Sequence, residues 1–161
     1  MNRIRDFINK IVEILSCGVL GIMTVLVTWQ VITRFIFKSP STITEALAKY
    51  LFLWLVLIAS AYVVGQRGHM AIEFLIIKLN KKAQCIVGAI TELVIFLFSL
   101  IVMTYGGGYI ALHAMNQMDS ALPIPIGIVY LALPVGGVLM AFYSFTNIIN
   151  LISNLKNKDN E

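Results

Sequence analysis

The sequence predicts an all-α membrane protein with four transmembrane helices and a short interfacial amphipathic helix. Its 161 residues are 59% hydrophobic and only 12% charged, whereas a soluble domain is about 45–50% apolar and about 25% charged. Four apolar stretches each approach or exceed the roughly 20 residues that cross the hydrocarbon core of a bilayer. The net charge of +4 is modest and sits in short segments, which argues against nucleic acid as a partner.

The four predicted helices follow one another in a single domain that covers residues 1–161. Runs without acidic or basic residues, histidine aside, mark their apolar centres at Ile14–Thr33, Tyr50–Gln66, Leu93–Met118 and Ile126–Leu151. Extending these centres to the nearest breaks predicts helices over residues 11–37, 45–66, 85–116 and 126–153.

A shorter amphipathic segment separates the second and third helices. Over residues 70–82 the apolar side chains of Ile72, Leu75 and Leu79 fall near one face, while most of the charged residues, including Lys78, fall elsewhere. This pattern predicts a helix that lies flat at the membrane surface, with its lysines reaching lipid headgroups.

The distribution of basic residues predicts the orientation. With the N-terminus in the cytoplasm, four crossings return the C-terminus to the same side, and most of the Lys and Arg residues then lie inside. The inside set is Arg3, Arg5, Lys10, Arg67, Lys78, Lys81, Lys82, Lys156 and Lys158, and the outside set is Arg34, Lys38 and Lys49. Both termini are therefore expected in the cytoplasm.

The connection between the first two helices carries several charges. Thr42 and Glu45 have the spacing of a capping box at the start of the second helix, and Glu45 with Lys49 has the spacing of a helical ion pair. Arg34, near the outer end of the first helix, has two open interpretations. It either pairs with Glu45 and ties the first hairpin together, or it docks a polar group of another protein.

Two further connections contain candidate structural residues. Arg67, His69 and Glu73 follow the second helix within seven residues, which fits either a reactive cluster at the membrane surface or a fixed elbow. Pro123 and Pro125 precede the fourth helix. Because proline offers no backbone donor and disfavours helix in the residue before it, the segment is predicted to be an extended lead-in.

Few residues suggest chemistry. His69 and His113 lie most of a bilayer apart in the predicted topology and cannot share one haem iron. Glu13 and Glu92 lie near the inner ends of the first and third helices, where they either couple protons or pair structurally with Lys10 or a loop lysine. The sequence has no nucleotide-binding or metalloprotease motif, and its two cysteines make no metal motif. The predictions are no enzymatic activity, no cofactor and no metal.

Small residues recur four positions apart on the predicted helices. In lipid, helices associate through close packing, so such pairs mark helix contacts. The pairs are Ala61 with Gly65, Gly107 with Ala111, and Gly137 with Ala141.

Three blocks of sequence resemble the DctQ-like small membrane subunit of tripartite ATP-independent periplasmic (TRAP) transporters. They are "TRFIFKSPSTITEALAKYLFLWLV", "GQRGHMAIEF" and "SALPIPIGIVYLALPVG". Together they cover about residues 25–140 in the expected order. One departure is visible, because Ile126-Gly127-Ile128 follows the proline pair where family members often carry bulky aromatics. The matching positions are Arg34-Phe35, Glu45, Trp54, Arg67, Gly68, His69, Glu73, Ser120 to Pro125, Tyr130, Pro134 and Gly136.

The resemblance implies a function that composition alone does not. It implies a subunit of a sodium-coupled importer in the bacterial inner membrane that carries an organic acid of the sialic acid or C4-dicarboxylate class. Its implied partners are a large multi-helix permease subunit, a periplasmic substrate-binding protein and membrane lipids. The small subunit would be a static scaffold, in which Arg67, His69 and Glu73 form a fixed elbow.

Two rival functions stay open on the sequence. One is a proton-coupled exporter that works as a dimer of four-helix chains and uses Glu13 or Glu92. The other is a membrane-anchored redox or haem subunit.

Overall fold

The computed structural model describes residues 2–39, 41–66 and 81–158, and these residues confirm the all-α membrane class. Four helical stretches are long and apolar enough to cross a membrane, which we call spans 1 to 4: Arg5–Phe35, Thr42–Gly65, Ile86–Ala114 and Ile126–Leu151. The helices are α1 (Asn2–Phe35), α2 (Thr42–Gly65), α3 (Lys81–Phe98), a π-helical segment π1 (Ser99–Gly106), α4 (Gly107–Ala114), α5 (Ile126–Tyr130) and α6 (Ala132–Lys158).

Helix α1 is longer than the sequence predicts. It starts at Asn2 rather than near residue 11. Hydropathy marks only the part of a helix that lies in hydrocarbon, and the charged residues of its first turns are adequate helix formers that continue the helix beyond the bilayer core. The predicted interfacial helix over residues 70–82 lies outside the described residues, except for Lys81 and Lys82, which begin α3.

The middle of span 3 is a π-helix rather than a uniform α-helix. Within π1, the Thr104 hydroxyl donates a hydrogen bond to the carbonyl of Ser99, five residues earlier, at 2.8 Å. The buried Ser99 hydroxyl donates to the carbonyl of Phe96 at 2.9 Å. Backbone carbonyls inside a bilayer need hydrogen-bond donors. The two hydroxyls supply such donors where the wider π-helical turn changes the regular pattern of α-helical hydrogen bonds.

The four spans lie side by side in one row. Among the described residues α1 packs on α2 only, α2 packs also on span 4, and span 3 packs on span 4 only. The order across the row is therefore span 1, span 2, span 4 and span 3. Span 4, which packs on both span 2 and span 3, is the most buried: 44% of its most apolar part is buried, against 6%, 11% and 17% in spans 1, 2 and 3.

Glycines let the central span approach both of its neighbours. A Cβ atom on Gly136 would lie 3.1 Å from Cβ of Leu57 in α2, and one on Gly137 would lie 3.0 Å from the carbonyl oxygen of Ser99 in π1. The approach is closest at Gly127 in α5, where a Cβ atom would lie 2.5 Å from the carbonyl oxygen of Ala111. All three predicted small-residue pairs are buried, as helix contacts require.

The residue that precedes α2 lies one position before the predicted capping residue Thr42. Ser41, with extended backbone angles, precedes the helix, and no side chain caps it. The predicted capping box of Thr42 and Glu45 is therefore wrong, because this register places Thr44 at the position that the acidic residue needs. Glu45 instead accepts a hydrogen bond from Lys49 Nζ at 2.8 Å, which confirms the predicted ion pair.

Candidate functional site

A buried carboxyl group connects spans 3 and 4 at the end of the helices where α1 begins and α2 ends. Glu92 is 4% exposed, and Ser144 and Asn147 are fully buried; we call these three residues the Glu92 cluster. Asn147 Nδ2 donates to Glu92 Oε1 at 2.9 Å. The Ser144 hydroxyl lies 2.6 Å from Glu92 Oε2 and 2.7 Å from the Glu92 carbonyl oxygen. Polar bonds of this kind hold helices together in an apolar surrounding.

Hydrogen bonds at the same end of the helices also join spans 1 and 2 to this group. Asn147 Nδ2 donates to the carbonyl of Val64 at 3.0 Å, and the Arg5 guanidinium donates to the carbonyl of Gly65. These carbonyls belong to the last turn of α2, which lacks intrahelical donors and carries the negative end of the helix dipole. All four spans are thus linked through polar groups at this end.

The described partners of the Glu92 side chain come from span 4. Ser144 and Asn147 are neutral, and the expected pairing with Lys10 is wrong within the described residues. The side chains of the loop lysines lie outside the described part of the chain, so pairing with one of them stays a prediction. The sequence interpretation placed Glu92 close enough to the membrane surface to reach a lysine. In the structure its side chain instead turns inward between α3 and α6. Glu13, by contrast, is exposed on α1.

The N-terminal end of α2 borders a polar cleft of about 280 Å³. Tyr50 and Asp119 both line this cleft, and the Tyr50 hydroxyl stabilises the charged form of the Asp119 carboxyl group, which couples the connection between spans 3 and 4 to α2. The cleft is lined by Thr42, Glu45, Ala46, Lys49, Tyr50, Asp119, Ser120 and Ala121.

The connection itself is a tight loop. The Ile126 N–H donates to the Gln117 carbonyl at 2.9 Å, the Asp119 N–H donates to the Ile124 carbonyl at 3.1 Å, and the Leu122 N–H donates to Asp119 Oδ2 at 3.1 Å. Pro125 precedes α5 with extended backbone angles (φ −64°, ψ 133°), as the predicted lead-in requires.

Asp119 is expected to titrate below an ordinary aspartate. The Tyr50 hydroxyl, and then the backbone N–H groups of Leu122, Ser120 and Ala121, stabilise the carboxylate and lower its pKa. The stabilisation it gives to the loop is therefore complete above the ordinary aspartate pKa of about 3.9 and is lost as the pH falls through the lower folded-state value. An NMR titration of labelled aspartate carboxyls in the purified protein measures this.

The matched variant for that titration is Tyr50→Phe, which removes only the hydroxyl. The Asp119 midpoint should rise toward the ordinary value in Tyr50→Phe and stay low in the wild type. An unchanged midpoint would show that the hydroxyl does not hold the carboxylate.

The residues predicted from the sequence are dispersed rather than gathered in one site. Arg34 is exposed and makes no ion pair within the described residues, so the expected Arg34–Glu45 pair is wrong because Lys49, on the same helix as Glu45, takes the carboxylate. Trp54 and Pro125 are half-buried and Pro123 is exposed. Three predicted residues lie outside the described chain: Arg67, His69 and Glu73.

Sequence reasoning missed the polar residues that the fold brings together. Ser144 and Asn147 are three residues apart in a mostly apolar span, so they share a face, and a polar face in a membrane span is a signal of helix contact. That signal was available in the sequence. Their pairing with Glu92, more than fifty residues away, was not.

Comparison with known proteins places these features in a family. Residues 23–154 match the family described as tripartite ATP-independent periplasmic transporters, DctQ component. A Haemophilus influenzae protein assigned as a TRAP transporter small permease protein is 29% identical over 94% of this chain and 94% of its own. The sialic acid TRAP transporter small permease protein SiaQ of Vibrio cholerae is 28% identical over 94% of this chain and 87% of its own.

A third relative is much longer. The sialic acid TRAP transporter permease protein SiaT of Haemophilus influenzae is 28% identical over 84% of this chain but only 22% of its own length. The family match covers most of the present sequence, including all of spans 2, 3 and 4. This chain therefore belongs to the DctQ family, the small permease subunits of TRAP transporters.

Proposed function

We propose that this small permease subunit is a fixed membrane scaffold in a sodium-coupled importer of an organic acid, with sialic acid as its preferred substrate. In this proposal its partner is a large permease subunit that holds the substrate and sodium sites. A periplasmic binding protein delivers the substrate to that assembly.

The observation that carries the proposal is the single row of spans. A route for a charged acid through a bilayer has to be enclosed by protein and lined with polar groups. In the described residues each span contacts only its neighbours in the row, so the chain encloses no such route. Its buried polar groups are used to join helices at the Glu92 cluster. In this proposal the transport route lies in another polypeptide.

The long relative supports a large permease as that polypeptide. In SiaT of Haemophilus influenzae, the part similar to this chain occupies only about a fifth of a sialic acid TRAP permease. A sequence of this kind is therefore compatible with a fixed position beside a much larger permease region. We propose the same neighbour here, as a separate subunit.

The names of the relatives support the substrate, and the distribution of basic residues supports the orientation. Two of the three relatives described above are named for sialic acid transport, which favours sialic acid over a C4-dicarboxylate. Lys and Arg are in excess at the end of the helices where Arg5 lies, which favours a cytoplasmic location for both termini. The cleft near Asp119 then faces the periplasm.

Reconstitution tests the proposal. Proteoliposomes that contain this chain and the large permease subunit should accumulate labelled sialic acid when the binding protein and an inward sodium gradient are supplied. Labelled succinate should accumulate at less than about a tenth of that rate, which corresponds to about 1.4 kcal/mol of discrimination. Vesicles with this chain alone are the control.

Three results would contradict parts of this proposal. Uptake by this chain alone would overturn the scaffold role. Equal uptake without a sodium gradient would overturn sodium coupling. Faster uptake of succinate than of sialic acid would overturn the substrate assignment.

A further inference from the structure

The side of span 3 that faces away from span 4 is open in the described structure. Among the described residues span 3 packs only on span 4, and its other side exposes a line of residues that includes two tyrosines. We call this surface the tyrosine face: Ile101, Tyr105, Gly108, Tyr109 and Leu112. The side chain of Tyr105 is 79% exposed.

Tyr105 lies at a depth where a tyrosine is unfavourable against lipid. Span 3 runs from Ile86 to Ala114. With its midpoint at the bilayer midplane, Tyr105 lies about five residues past that plane, or about 7.5 Å at 1.5 Å per residue. The hydrocarbon core extends about 15 Å on each side of the midplane. Because helical side chains lean toward the N-terminus of their helix, that of Tyr105 leans toward the midplane rather than toward the nearer surface.

The hydroxyl of Tyr105 has no hydrogen-bond partner among the described residues. The nearby Tyr109 and His113 contact each other within span 3, because His113 Nδ1 donates to the Tyr109 carbonyl at 2.9 Å and the two rings lie 4.1 Å apart. A hydroxyl in an apolar surrounding is strongly unfavourable without an acceptor. Acyl chains offer none, so lipid alone does not suit this position.

The backbone beside Tyr105 is open to a close approach. A Cβ atom on Gly108 would meet nothing within 4 Å. A glycine with open space next to it allows another helix to pack closely against span 3, which is how helices associate in lipid.

From these observations we infer that a transmembrane helix of the large permease subunit packs on the tyrosine face and accepts a hydrogen bond from Tyr105. The inference rests on the proposed function, since it assigns a surface to the partner proposed there. A protein helix satisfies both requirements, because it has carbonyl or side-chain acceptors and a shape that fits beside Gly108.

Copurification of the large subunit with tagged variants tests the assignment. Gly108→Leu fills the open space and should reduce recovery of the large subunit at least about tenfold, the effect of a packing clash. Gly21→Leu on α1 is the matched control, because a Cβ atom at Gly21 also meets nothing within 4 Å; its recovery should equal that of the wild type. Tyr105→Phe removes one interhelical hydrogen bond and should reduce recovery about threefold.

Photocrosslinking provides a second measurement that does not depend on the folding of Gly108→Leu. A benzoylphenylalanine at position 105 should crosslink to the large subunit, and one at position 25, on the exposed side of α1, should not. A crosslink from position 25 alone, crosslinks only between copies of this chain, or normal recovery with Gly108→Leu would overturn the tyrosine face as the interface.

The wild-type chain separates this inference from the function on which it rests. If the wild-type chain fails to recover the large subunit, the scaffold function and the inference fail together. If the wild type recovers it and Gly108→Leu does so equally well, only the assignment of the face fails.

Discussion

Replacing Gly127 with alanine is expected to prevent α5 from packing on span 3. The added Cβ would lie 2.5 Å from the carbonyl oxygen of Ala111 and 2.7 Å from the backbone nitrogen of Met115. Both atoms belong to the backbone of the opposing segment, so no side-chain rotation relieves the clash, and the two segments must separate. A destabilisation of about 3 kcal/mol is expected, measured as thermal unfolding and as the yield of monodisperse protein in detergent.

Other glycines provide controls for this substitution. Gly137→Ala should be damaging as well, because its Cβ would meet the Ser99 carbonyl at 3.0 Å, while Gly136→Ala, at 3.1 Å from the Leu57 side chain, should be milder. Gly108→Ala meets no atom within 4 Å and gains up to about 1 kcal/mol of helix propensity. Equal stability of Gly127→Ala and Gly108→Ala would contradict the observed packing.

Replacing Glu92 with alanine is expected to weaken the packing of α3 on α6 at the Glu92 cluster. The substitution opens a cavity between α3 and α6 and removes the acceptor of one Asn147 N–H group. The other Asn147 bond, to the Val64 carbonyl, remains. Loss of buried volume and one unsatisfied donor together correspond to about 2–4 kcal/mol of stability, which thermal unfolding of the purified chain in detergent would detect.

Glu92→Gln is the matched control and also separates the candidate functions. The amide keeps the volume of the side chain, its oxygen can accept from Asn147, and its nitrogen can donate to the Ser144 hydroxyl, which still donates to the backbone carbonyl at 2.7 Å. Stability within about 1 kcal/mol of the wild type and normal sialic acid uptake are expected. Abolished transport in a stable Glu92→Gln protein would instead support the proton-coupled exporter.

The number and approximate limits of the membrane spans were predictable because they depend on local properties. A stretch of about twenty apolar residues without acidic or basic side chains crosses a bilayer as a helix whatever its neighbours are. Spans 2 to 4 therefore lie within a few residues of their predicted positions. The start of α1 at Asn2 was missed because helix continuing outside hydrocarbon leaves no hydropathy signal.

The candidate site was only partly predictable. The small-residue pairs predicted helix contacts correctly, and Glu45 pairs with Lys49 as its local spacing required. Glu92 was identified, but its partners Asn147 and Ser144 were not, since they reach it only after α6 packs on α3. The role of Gly65, whose Cβ would lie 2.7 Å from the buried ring of Tyr143, also depends on contacts between distant residues.

By itself, the sequence determined that this protein is a set of four apolar helices and that it resembles the small subunits of TRAP transporters. Only the tertiary structure decided the order of the spans, the π-helical turn opposite Gly137 and the open side that carries Tyr105. The physical reason is that lipid and protein interior are equally apolar, so hydrophobicity does not distinguish a helix face that meets lipid from one that meets another helix. Close packing and a few polar bonds make that distinction, and both require distant residues to be brought together.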